Sequence, residues 1–124
     1  MAPSAPLSAP FLQREFNGEL LLEELRDLRG AGVGLKHLID CSRAMKELRG
    51  LPLADAIVRV KQIASARFGA QPELAGLMVR WAAKLRSERD VTELILHFQR
   101  LAATSALIGA MGRGASRLPR GVRR

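Results

Sequence analysis

The chain has one cysteine and two histidines, and His37, Asp40 and Cys41 fall within little more than one turn of a helix. A thiol beside an imidazole is the raw material of nucleophilic catalysis or of a metal site. Cys41, however, shares a helical face with Leu38, Met45 and Leu48, and a thiol on such a face packs as a small hydrophobe. His97 lies far along the chain, and no second cysteine completes a four-coordinate zinc set. Gly30-Ala-Gly32-Val-Gly34 lacks the preceding strand that a phosphate-binding turn needs, so it reads as a linker. No nucleophile elbow, Walker loop or zinc-protease pattern occurs. The sequence therefore assigns no catalytic residue, no metal ligand and no cofactor.

Charge is the more informative feature. The formal net charge is +8, and the excess is concentrated at the rear. From Leu96 to Arg124 there is no acid, but there are Arg100, Arg113, Arg117, Arg120, Arg123 and Arg124. The front half leans acidic around Glu19, Glu23, Glu24 and Asp27. Arginines spaced through Gly, Ser and Pro are expected to stay solvated and free to follow phosphates. Arg113, Arg117, Arg120, Arg123 and Arg124 are thus the candidate contacts to nucleic acid or another polyanion, with Arg80, Lys84 and Arg86 as a second group. No aromatic residue is interleaved with the last five arginines, so stacking on single-stranded bases is not expected.

Two further stretches invite a functional reading. Ile63 to Leu74, with Val79-Arg80-Trp81 after it, resembles a helix-turn-helix in outline, with Ser65 four residues before Gly69 and Leu74 beyond the turn. That motif implies DNA reading from the start of its second helix. Ala64 misses the usual alanine-to-glycine spacing by one residue, and Glu73 and Gly76 are poor base readers, leaving Gln71 alone for that task. Separately, Leu107, Ile108 and Met111 stand in an uncharged run beside the small residues Ala102, Ala106, Gly109 and Ala110. Exposed, they would form an interaction face or join copies of the chain. The composition favours their burial as core.

The elements that must position these residues are helical. At 124 residues with 48% hydrophobic and only 4% aromatic content, the chain suits one domain built from aliphatic helix faces. Residues 1–10, rich in Pro and Ala, read as a disordered tail. Residues 11–112 form the single domain, and residues 113–124 form a flexible basic tail. The spacing predicts helices from about Phe11 to Arg29, Leu35 to Leu48, Leu53 to Phe68, Pro72 past Leu85, and Asp90 to Met111. The last is expected to start on a capping box of Asp90 with Glu93. Period-two alternation is nowhere sustained, so the expected fold is all-α, a compact bundle of about five short-linked helices.

A lone cysteine excludes an internal disulfide and suits a reducing compartment, so a cytoplasmic and, from the Arg- and Ala-rich composition, bacterial protein is expected. The apolar stretch Leu101 to Gly112 is too short for a membrane span. Together these features predict a non-enzymatic binding protein whose basic rear engages nucleic acid or an acidic protein surface. The alternative is a protein–protein module that uses an apolar helical face.

Overall fold

The computed structural model describes the backbone of residues 18–123 and the side chains of residues 20–111. Within them lie five helices, α1 (Gly18–Gly30), α2 (Leu35–Met45), α3 (Leu53–Arg67), α4 (Pro72–Ala82) and α5 (Glu88–Arg123). A single 3-10 turn, Lys46–Leu48, continues α2, and no strand occurs among the described residues. The fold is an all-α bundle. Helix α2 packs mainly on α5, and α3 mainly on α4, while α1 lies lightly across α5.

Each helix ends for a local reason. Past α1, Val33 donates its backbone N–H to the carbonyl of Leu28 and Gly32 donates to Arg29, with Gly32 at φ +86°. This is the six-to-one and five-to-two pairing of a Schellman stop, which needs a left-handed residue that glycine supplies cheaply. Val33 and Leu28, the two apolar residues that such a stop brings together, are both buried. Gly50, at φ +77°, turns the chain between α2 and α3, and Pro72 fits the first turn of α4 because its missing N–H would have no helical partner there.

The core confirms most of the sequence periodicity. Leu38, Cys41, Met45 and Leu48 are buried from α2 and its extension, and Leu74, Leu77, Met78 and Trp81 from α4. On α3 the buried line is Ala56, Val60, Ile63 and Ala64, while Leu53 and Ile57 are only partly covered. Leu85 is buried, but in the turn after α4 rather than within it.

Helix α5 departs most from expectation. It begins three residues early, because Ser87 and not Asp90 caps it: Asp90 donates its backbone N–H to Ser87 Oγ at 3.2 Å. The Asp90 carboxylate accepts from the Arg86 backbone N–H at 2.9 Å. Ser87 and Asp90 thus cap the helix in the manner of a capping box, one turn upstream of Asp90 with Glu93, except that the Asp90 carboxylate reaches back past Ser87 to Arg86. At its far end the backbone stays helical to Arg123, past the expected end near Met111.

The stretch Glu88–Met111 is also long and apolar enough to cross a membrane, whereas the shorter run noted in the sequence is not. Yet its front half is bundle core, with Val91, Leu94, Ile95, Phe98 and Leu101 buried.

Candidate functional site

The one cysteine sits in packing. Cys41 is fully buried, and burial pushes its thiol up to about 12, so the nucleophilic thiolate is suppressed. His37 turns away from it: its Nδ1 accepts the Gly34 backbone N–H at 3.3 Å, tying down the start of α2. Asp40 is exposed. The sequence neighbours therefore do three separate jobs. Among the described residues no group of three His, Cys, Asp or Glu side chains could hold a metal ion.

A polar cluster that the sequence did not disclose lies beneath α1. Glu24 Oε2 accepts the Trp81 indole N–H at 2.9 Å, and Glu24 Oε1 lies 2.6 Å from His97 Nε2. One carboxylate from α1 thereby joins α4 and α5. His97 is 1% exposed, and its ring stands 4.9 Å from Trp81 and 5.8 Å from Phe98, edge-on to the latter. Outside the cluster, Lys84 Nζ lies 4.7 Å from the Trp81 ring centroid, a cation–π placement. Buried polar groups that satisfy one another fix helix register. Glu24 reads as one more acid on a charged helix, and only its position three residues after Leu21 and four before Leu28 marks the face it shares.

The basic residues separate into two places. Arg80, Lys84 and Arg86 gather at the α4–α5 corner beside Arg89. Arg80 and Arg86 are exposed there, while Lys84 is partly covered and held over Trp81. Arg113, Arg117, Arg120 and Arg123 belong to the far end of α5. The side chains from residue 112 onward and all of Arg124 lie outside the described residues. At about 1.5 Å rise per residue, Arg89 and Arg113 stand roughly 36 Å apart along one helix. The two predicted basic groups are therefore not one patch. Elsewhere, Glu47 neutralises Arg67 at 2.8 Å and Arg59 at 3.5 Å.

The apolar end of α5 is only partly core, against the burial expected from composition. Ile108 packs against the core, where it meets Leu22 and Leu25 of α1 across an open cleft of about 560 Å³. Leu107 and Met111, however, are 60% and 62% exposed. The cause is that α1 and the Gly32–Leu35 turn cover one side of this helix and nothing described covers the other. The small-residue line rotates out of the bundle in the same way, from buried Ala102 through half-buried Ala106 to exposed Ala110.

The helix-turn-helix segment forms a helix pair, α3 and α4, whose second helix opens with exposed Pro72 and Glu73. Its start offers no base-reading donor beyond half-buried Gln71. Among the described residues, fold and surface together define a small all-α bundle with a carboxylate-stapled core, divided basic ends and an uncovered apolar face on α5. Comparison with protein-family models, curated proteins and solved structures finds no match for the chain.

Proposed function

We propose that this chain is a non-enzymatic, cytoplasmic binding protein that engages nucleic acid through the two ends of α5. The observation that carries this reading is the placement of basic residues at both ends of one continuous helix, with no acid after Glu93. A small anion can meet only one such end. A polymer carrying a charge every ~1.7 Å spans both, and 36 Å corresponds to about eleven base pairs of duplex. Contacts of this kind go to phosphates and carry little sequence preference.

The test is the salt dependence of binding to duplex DNA and to RNA. Each phosphate neutralised contributes ~0.9 to the slope of log affinity against log salt on duplex DNA. Deleting residues 112–124 removes five arginines, so binding should weaken and the slope should fall by up to about 4.5. Charge removal at Arg80 and Arg86 should lower it further. Purified protein should carry nucleic acid that high salt strips away. If no salt-sensitive binding occurs at micromolar protein in low salt, the reading is wrong.

The exposure of Leu107 and Met111 favours a second reading, an interaction module whose working face is Leu107, Ile108 and Met111.

A further inference from the structure

The uncovered face of α5 is continuous. Arg100, Ala103, Leu107, Ala110 and Met111 fall at intervals of three, four, three and one residues, and all five are exposed. These intervals make a single helical stripe. From Leu101 to Gly112 the helix carries no charge, and Arg100 and Arg113 bracket the run.

A second copy of the chain is a poor occupant for this stripe. Antiparallel pairing centred on Leu107 would bring Arg100 of each copy beside Arg113 of the other. Parallel pairing would set Arg100 against Arg100. No acid follows Glu93 to relieve either arrangement. A folded protein partner would need anchors to fill its pockets, and this convex stripe of Ala, Leu and Met has no aromatic residue.

An anionic bilayer makes neither demand. It takes an apolar helix side lengthwise and attracts the cations at its margins. We propose that the Arg100–Met111 face of α5 docks on an anionic lipid surface and lies in its interface, favoured by the positive charge that the sequence carries from Arg100 onward with no acid to offset it. The helix lies on the bilayer rather than crossing it. A crossing would have to draw buried Asp90 and His97 out of the bundle, where Asp90 bonds Arg86 and His97 meets Glu24. For a helix lying in the interface, the buried apolar area and the attraction of its cations to anionic lipid add to one another. This goes beyond the nucleic-acid reading, which asks nothing of Leu107 or Met111.

The test sediments full-length protein with phosphatidylcholine vesicles and with vesicles that also contain phosphatidylserine. Binding should appear only with phosphatidylserine and weaken with salt. The double substitution Leu107→Gln and Met111→Gln, which removes the apolar side chains without adding charge, should weaken it about tenfold or more. The same variant should keep the wild-type circular dichroism and the wild-type affinity for duplex DNA. The proposal is overturned if the wild type ignores anionic vesicles, or if the variant binds them as well as the wild type, which would show attraction by charge alone. A wild-type dimer in light scattering that the variant splits, with vesicle binding unchanged, overturns it in favour of self-association. Loss of vesicle binding together with DNA binding also counts against it. DNA binding without vesicle binding sinks this inference and leaves the nucleic-acid reading standing.

Discussion

Replacing Glu24 with Ala tests whether one carboxylate staples three helices. The substitution leaves the Trp81 indole N–H and the His97 ring nitrogen without the oxygen each now faces at 2.9 and 2.6 Å. A hydrogen bond to an ionised acceptor is worth about 1.5–3 kcal/mol net, and an orphaned buried donor costs about as much. The Glu24 side chain retains 11% exposure, so water can enter the gap and repair part of the loss. The expected destabilisation is therefore about 2–4 kcal/mol, which in a domain of this size lowers Tm by roughly 10 °C or more. Glu24→Gln keeps an acceptor for Trp81 and the shape of the fork, and should cost no more than about 1 kcal/mol. Urea denaturation followed by the emission of the single tryptophan reads both. Trp81 is 2% exposed, so native emission should be blue-shifted and shielded from iodide. An Ala variant within about 0.5 kcal/mol of the wild type would refute the staple. A Gln variant as damaging as Ala would show that charge, not shape, carries the contact.

Two other expectations follow from local geometry. Ser87→Ala should destabilise by about 1 kcal/mol through loss of the α5 cap, whereas Glu93→Ala should change stability by no more than about 0.5 kcal/mol; the reverse order in thermal melts would restore the downstream capping box. Cys41, buried and with its thiol pushed up to about 12, should resist a disulfide reagent at mildly alkaline pH until urea unfolds the chain; immediate stoichiometric labelling of native protein would contradict its burial.

The helices were legible because their signals are local. Leu38, Cys41, Met45 and Leu48 announce a buried face by spacing alone, and Gly30 to Gly34 announces a stop that Gly32 then executes. The start of α5 was less legible because Ser87 and Asp90 compete with Asp90 and Glu93 for the same role. Only the positions of Ser87 Oγ and the Arg86 backbone N–H decide between them. The polar cluster was not legible at all. Glu24, Trp81 and His97 are 57 and 73 residues apart along the chain as paired, and no periodicity within one helix encodes which acid meets which ring.

The same limit explains the misplaced emphasis on burial at the end of α5. Hydrophobicity says that Leu107, Ile108 and Met111 would gain by leaving water, but not how many neighbours are available to cover them. Helix α1 offers one apolar side, with Leu25 and Leu28 buried, and its Schellman stop ends it at the level of Ser105 to Gly109. Leu107 stands at that same level yet is 60% exposed, because it lies on the side of α5 that α1 and its turn do not occupy. The exposed face of α5 is thus a consequence of which side α1 covers. Gly32→Ala would lose the left-handed residue that the stop requires and would not extend that cover.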